Sequence, residues 1–294
     1  MTFTQLQVFR AVAELESFSK AGEFLGISQP GISHAISGLE SELGTILIKR
    51  NRNGITLTKI GEQLLTHVHE ILNRQEQMIQ EVAVENQKQK GIIRIGCISS
   101  VSSKWLPRVI GSFRKLHPEI EVIVTEGSNV EIKNWIFIDT IHLGFISTKL
   151  EELDSLDLLN EEIMVLLPQD HRLANEKHLL IDQLADEPFI MPAEGCQTMV
   201  KDIFSSKNLQ PKVQFEIRET TTILEMVQEG LGVTLLPELA LPVALERVQL
   251  LSLSPRKCRK VRIAARNFKT ISPACKLFME HVEKWVSQYK DEKW

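Results

Sequence analysis

A chain of 294 residues with 43% hydrophobic and 24% charged side chains carries enough apolar material for about two folded domains and is not a disordered polymer. Its net charge of −4 gives no bulk attraction for nucleic acid, so any such function must rest on where the bases lie. Four scattered cysteines (Cys97, Cys196, Cys258 and Cys275) form no Cys-x-x-Cys pair, which argues against a disulfide framework or structural zinc and fits a reducing compartment. The start shows no basic-then-apolar leader, and the longest apolar runs, 163–168 and 233–237, are strand-sized. A cytoplasmic protein without a membrane span is expected.

Along the first sixty residues, Phe3, Leu6, Phe9 and Ala13 recur at helical spacing, predicting a helix that ends near Glu16. Ser17 or Ser19 can cap a second helix that stops at Gly26. Ser28 can cap a third, with Pro30 tolerated in its first turn. Ile32, Ala35, Ile36, Leu39 and Leu43 make its apolar face, while Pro30, Ser33, His34, Ser37 and Ser41 make a polar face without acids. Two short helices joined by a tight turn, the second presenting small polar groups, fit a helix-turn-helix that enters a major groove. Gln29 and His34 are placed to reach base edges. A plain three-helix bundle with a solvated face fits the periodicity equally well.

The next segment favours the first reading. Residues 46–48 and 55–57 look like strands around a turn at Asn51, Arg52, Asn53 and Gly54, a hairpin of the kind called a wing. Four of the six bases in the first sixty residues (Lys49, Arg50, Arg52 and Lys59) cluster there, and no acid intervenes. Phosphates or a minor groove would meet them. The ordered set Phe9, Val12, Ser17, Phe18, Ser19, Ala21, Ser28, Gln29, Pro30, Ile32, Ser33, Leu39, Glu40, Leu43, Gly44, Arg50, Leu57, Thr58 and Gly61 resembles the DNA-binding region of LysR-type transcriptional regulators. Gly22 departs from the family's usual alanine, residues 46–48 replace its common Leu-Phe, and His34 stands where Arg or Gln is frequent. The DNA-binding candidates are Gln29, Pro30, Ser33, His34, Ser37, Lys49, Arg50, Arg52 and Thr58.

From Gly61 to about Lys88 no proline interrupts a helical pattern in which Leu64, Val68, Ile71, Gln75, Met78 and Val82 step by threes and fours. Such a helix runs about 40 Å, more than a small winged domain can cover. A seam against a second chain is the economical reading, and the family resemblance favours it; a support helix within one chain is the alternative. The polar run 85–90 reads as a hinge.

Beyond Gly91, strand and helix patterns alternate. Strands are predicted at 92–97, 121–126, 141–146, 163–167, 189–190, 233–236 and 261–265. Helices are predicted at 104–116, from 197, at 221–229 and at 273–289. This alternation argues for α/β structure with mostly parallel sheets. The stretches "IRIG" at 93–96, "LPRVIGSFRKLHPEIEV" at 106–122, "VLLPQDHRLA" at 165–174 and "VQEGLGVTLLPE" at 227–238 resemble the LysR effector-binding domain, which has a periplasmic-binding-protein-like fold. The resemblance implies two subdomains, with the chain crossing near Glu161 and again near Arg266. His142 stands where the family usually has an acid, and a neutral structural histidine is preferred there over a proton sensor.

The expected organisation is α+β overall, with a winged helix-turn-helix at 1–59, a linker and dimerisation helix at 60–90 and an effector domain at 91–294. Within the last, subdomain I takes 91–161 and 267–294, and subdomain II takes 162–266. Ligands in open α/β sheets bind beyond the carboxyl ends of strands. Those ends carry Ser99, Ser100, Ser102, Ser128, Asn129 and Thr148, with Cys196, Thr198 and Thr220 at the starts of later helices. Hydroxyls and helix N-termini suit a small anion; taken singly, each hydroxyl is more simply a helix cap.

The Gly-x-Ser-x-Gly, Gly-x-x-x-x-Gly-Lys and His-Glu-x-x-His motifs are all missing, so enzyme chemistry is not expected. A free-standing solute-binding protein would need an export signal and no wing. Redox control through Cys196 is a minor alternative, since no resolving cysteine lies close in sequence. The expected protein is a regulator without a resident cofactor, controlled by a small-molecule effector. Its expected partners are double-stranded promoter DNA, a second copy through the linker helix, further copies in a homotetramer, and RNA polymerase.

Overall fold

The computed structural model describes residues 1–51, 54–85, 89–193, 196–242 and 244–293. The chain divides into two compact units: Met1–Gly91 with Trp135–Thr140, and Ile92–Asn134 with Ile141–Trp294.

The first unit opens with α1 (Phe3–Leu15), whose Thr2 and Gln5 cap each other reciprocally. Ser17 caps α2 (Phe18–Leu25), and Gly26 ends it with a left-handed φ of 66°. Ser28 caps α3 (Gln29–Leu43), with Pro30 in its first turn, and Gly44 closes it in the same left-handed way. β1 (Ile48–Asn51) and β2 (Gly54–Leu57) pair antiparallel, Ile48 opposite Leu57. The strand expected at 46–48 therefore starts later, and Ile46 is exposed. α4 (Lys59–Glu85) follows. Phe9, Val12, Ile32, Ile36, Leu39 and Leu47 form the core and take in Val68 and Leu72 from α4. Val68 and Leu72 of the linker helix are thus buried within the unit and Leu64 is half-buried, while Ile71, Met78, Ile79 and Val82 are left exposed.

In the second unit the elements are β3 (Gly91–Cys97), α5 (Ser99–Lys104), α6 (Leu106–Leu116), β4 (Ile120–Glu126), α7 (Asn129–Phe137) and β5 (Leu143–Ile146). β6 (Asp154–Pro168), β7 (His178–Leu179), β8 (Pro188–Pro192), α8 (Gln197–Ser205), β9 (Lys212–Ile217) and α9 (Thr220–Gln228) come next. The last are β10 (Thr234–Pro237), β11 (Val248–Leu253), β12 (Cys258–Ala265) and α10 (Pro273–Lys293). The main sheet has the order β4-β3-β5-β12-β6-β11-β7, with β10 also on β6.

The expectation of mostly parallel sheets needs correction. β3–β5, β8–β9 and β7–β11 are parallel. β12 runs antiparallel to β5 and β6, and β6 antiparallel to β10 and β11. The cause is the 15-residue strand β6, whose first half mixes Asp154, Asp157 and Asn160 with leucines and so does not read as a strand in the sequence. The single helix expected at 104–116 is two, because Pro107 lies in the first turn of α6 and cannot continue a ladder from α5. α7 was not expected.

Gly22 resolves one departure from the family pattern. A Cβ built there would meet the Ile27 carbonyl oxygen at 2.6 Å, a backbone atom in the α2–α3 turn that cannot swing aside. Helix propensity alone predicts that Gly22→Ala stabilises by about 1 kcal/mol. Overpacking of about 1–3 kcal/mol opposes it, and the expected net result is a lower thermal midpoint for the variant; a higher midpoint would show that the turn yields.

Candidate DNA interface and effector site

α3 divides cleanly. Ile32, Ile36 and Leu39 are buried, while Gln29, Pro30, His34 and Ser37 are exposed and Ser33 is half-buried. Because Ser28 supplies the cap, the first turn of α3 can point its polar face outward without leaving its amides unsatisfied. Lys49 is exposed on β1. Arg52, and the side chain of Arg50, lie outside the described residues.

Glu40 was read from the sequence only as a family match, yet it places the wing. Its Oε1 accepts from the backbone N–H groups of Leu47 at 2.7 Å and Ile48 at 3.1 Å. Both are buried residues at the entry to β1. One carboxylate on the recognition helix thereby fixes where the hairpin begins. Thr58 performs the matching task at the exit. Its hydroxyl donates to the Ile46 carbonyl at 2.8 Å and accepts from Gly61 N–H at 3.0 Å, capping α4.

In the second unit, the hydroxyl-rich strand ends divide into local caps and one buried cluster. Ser128 Oγ accepts from Glu131 N–H at 3.3 Å and donates to the Glu131 carboxylate at 2.7 Å, a capping arrangement at the start of α7. The Ser128 backbone N–H also donates to Glu131 Oε2 at 2.8 Å, and that bond, with the hydroxyl's, holds the Glu131 carboxyl below its ordinary range. Asn129 binds Ser147, accepting from its backbone N–H at 2.8 Å and so tying the ends of β4 and β5 together. Ser102 Oγ donates to the Ser99 carbonyl at 2.9 Å and to the Glu126 carboxylate. Ser99, Thr148 and Thr198 are exposed, and Thr220 is the half-buried first residue of α9.

Ser100 and Cys196 come together on a residue that sequence reasoning missed. Arg259 of β12 lies directly opposite Glu161 of β6 in the strand register. Arg259 Nε donates to Glu161 Oε1 at 2.6 Å, and both side chains are buried, at 8% and 1% exposure. Nη2 donates to Ser100 Oγ at 2.6 Å, and Nη1 faces Cys196 Sγ at 3.7 Å. Glu161 Oε2 in turn accepts from Leu239 N–H at 2.9 Å, in a 3₁₀ turn at Glu238–Ala240. Lys104 Nζ donates to the Leu241 carbonyl just beyond that turn, at 2.6 Å. One ion pair therefore reaches α5, the start of α8 and the turn after β10. Removing one partner of such a buried pair costs about 3–5 kcal/mol. Both residues fall just outside the strands predicted at 163–167 and 261–265, so no sequence signal joined the two across 98 positions.

Burial pushes the Cys196 thiol up, with the Arg259 guanidinium opposing, and it pushes Cys97 up to about 12. Both are thiols rather than thiolates at neutral pH. His142 sits against Arg94: its Nδ1 is 3.2 Å from the Arg94 backbone nitrogen and its Nε2 is 3.3 Å from the guanidinium. Among the described residues no grouping of His, Cys, Asp and Glu could hold a metal, and no helix is long and apolar enough to cross a membrane.

Comparison with known proteins matches residues 3–62 to the bacterial regulatory helix-turn-helix of the lysR family and residues 86–287 to the LysR substrate binding domain. The chain belongs to the LysR family of transcriptional regulators. This LysR regulator is 36% identical over 284 residues to the uncharacterized HTH-type transcriptional regulator YvbU of Bacillus subtilis, covering 95% of this chain and 97% of YvbU. It is similar to full-length BenM, with a TM-score of 0.63, 28% identity, and 99% and 98% of the two chains covered. The fold is also that of CbnR solved with its target DNA, at a TM-score of 0.66 and 20% identity, covering 97% and 99%. The regulator thus joins a DNA-binding helix-turn-helix to an effector-binding domain.

The burial pattern makes a direct prediction about the thiols. Cys258 is exposed, while Cys97, Cys196 and Cys275 are buried. In the native protein a water-soluble disulfide reagent is expected to titrate one thiol per chain, at Cys258. Its rate should still be rising above neutral pH, because burial and Glu162 raise that thiol. Denaturation should release all four. Rapid native reaction at Cys196 would contradict the burial and revive redox control.

Proposed function

We propose that this LysR regulator reads a promoter site with Gln29, Ser33 and His34. Pro30 and Ser37 allow close approach of α3, Lys49, Arg50 and Arg52 hold the phosphate backbone, and Thr58 secures the exit of the hairpin. The observation that carries the reading is the acid-free, exposed face of α3 beside the basic hairpin. Short side chains on that face admit the helix to a major groove. CbnR, which shares the fold, was solved with its target DNA, and this supports the same use of the domain.

The exposed Met78, Ile79 and Val82 of α4 support pairing with a second copy, with a tetramer as the larger assembly. RNA polymerase is the proposed partner in transcription, and the cytoplasm the proposed location. The division at 1–59, 60–90 and 91–294 is kept, with subdomain I at 91–161 and 267–294 and subdomain II at 162–266. The effector is proposed to be a small anion bound where Ser100, Cys196 and Arg259 meet, flanked by Ser99, Ser102, Ser128, Asn129, Thr148, Thr198 and Thr220. Its binding would shift the protomers between poses that hold DNA differently.

The test is titration of the protein onto its own upstream DNA and onto a scrambled duplex, at two salt concentrations. Preference for the native fragment, weakening with salt, is expected. Lys49→Ala should weaken both duplexes and reduce the salt slope by about 1, whereas Gln29→Ala should cost about 1–3 kcal/mol on the native fragment alone. A folded protein that binds neither duplex at low salt would refute the reading.

A further inference from the structure

α4 has a face that its apolar pattern does not announce. His69, Asn73 and Gln80 are buried, at 3%, 9% and 3% exposure. Their spacing of four and seven sets them on one side of the helix, opposite the exposed Ile71, Met78 and Val82. Buried polar groups persist where they have partners, and each of the three has one. His69 Nε2 lies 3.6 Å from Glu14 of α1. Gln80 donates to Glu76 at 3.3 Å and packs on Gly91, where a Cβ would come within 2.5 Å of its carboxamide. Asn73 Nδ2 donates to the Asp139 carbonyl at 2.6 Å.

Asp139 lies just past the end of α7 and has a left-handed φ of 54°. Its N–H donates to the Ile136 carbonyl at 3.2 Å, and Thr140 N–H to the Trp135 carbonyl at 2.9 Å, a helix-ending pattern. A residue with a Cβ is strained in that conformation, so the turn depends on what holds it. Asn73 holds its carbonyl.

The division between the two compact units falls inside α7: Asn134 belongs to the second and Trp135 to the first. Within the second unit the beginning of the same helix is tied to strand ends. Asn129 accepts from Ser147 N–H at 2.8 Å and donates to Ser147 Oγ at 3.1 Å. Ile132 packs on Gly96 of β3, where a Cβ would lie 3.3 Å from it. Between these ties runs a single helix, about 13 Å long.

From this placement we infer that α7 relays state between the effector-binding unit and the winged helix, and that Asn73 is the positioning residue joining its last turn to α4. The inference rests on the DNA-binding reading above and names the residue through which bound DNA is felt at the ends of β4 and β5. A buried amide bonded to one carbonyl has one favoured geometry. Movement of α4 therefore either carries the Asp139 turn with it or leaves both groups unpaired.

The experiment uses the full-length protein with its own upstream duplex, and the scrambled duplex as control. DNA serves as the ligand because coupling is reciprocal. Amide hydrogen exchange is followed with and without each duplex. In the wild type, the native duplex is expected to change exchange at 129–133 and Leu143–Ile146 by about fivefold or more, and the scrambled duplex to leave it unchanged. Asn73→Leu is close in size and lacks the donor. It should bind the native duplex within about threefold of wild type while losing the change at those amides. Asn73→Gln retains an amide and should recover part of it.

A wild type that prefers the native duplex while exchange at 143–146 stays the same would overturn the relay, whatever the stability of the variants. Persistence of the full change in Asn73→Leu would overturn it too. A folded protein that binds neither duplex would remove the DNA-binding reading first and the relay with it, so the two failures are told apart.

Discussion

Two strands, β6 and β12, lie antiparallel through the middle of the effector-binding unit, and the buried pair Glu161–Arg259 sits opposite itself in their register. Charges of this kind are expensive to bury and are retained only with full hydrogen bonding. Here the carboxylate is satisfied by the guanidinium and by the Leu239 amide, and the guanidinium by Glu161 and Ser100. The pair consequently dictates where α5 and the 3₁₀ turn at Glu238–Ala240 sit. Apolar packing around Ile163, Val165, Phe189 and Leu235 then fills the unit. Hydrophobic burial supplies most of the stability, but it is non-directional; the ion pair gives the strand crossing a single geometry.

The DNA-binding unit solves a related problem at its surface. A recognition helix must expose a polar face and hold its wing without burying bases. Capping by Thr2, Ser17 and Ser28 satisfies the ends of three helices locally, so their core-facing residues are free to pack. Glu40 and Thr58 then attach the hairpin at its entry and exit through backbone hydrogen bonds. Lys49 is left for solvent or phosphate.

Legibility in the sequence followed the range of the interaction. Caps at Ser17 and Ser28, the stop at Gly26, and the apolar face of α3 are local signals, and each was readable. The second half of β6 was read at 163–167, but its first half was not, because Asp154, Asp157 and Asn160 interrupt its leucines and leave no regular apolar alternation. Among the effector candidates, Ser100 and Cys196 meet on Arg259, whereas Ser128 and Asn129 turn to Glu131 and Ser147. Hydroxyl content marks strand ends without saying which hydroxyls converge. Arg259 itself was invisible, since its partner lies 98 residues away and only strand register brings them together.

The central claim is that one chain couples a ligand in the effector-binding unit to DNA held by the winged helix. Coupling is reciprocal as a matter of thermodynamics. The most direct measurement is operator affinity and footprint at zero and saturating ligand, paired with ligand affinity at zero and saturating operator. The account predicts a change in the operator affinity or in the protected region, with any affinity factor the same in both directions. A ligand that binds tightly while leaving affinity and footprint unchanged would contradict it.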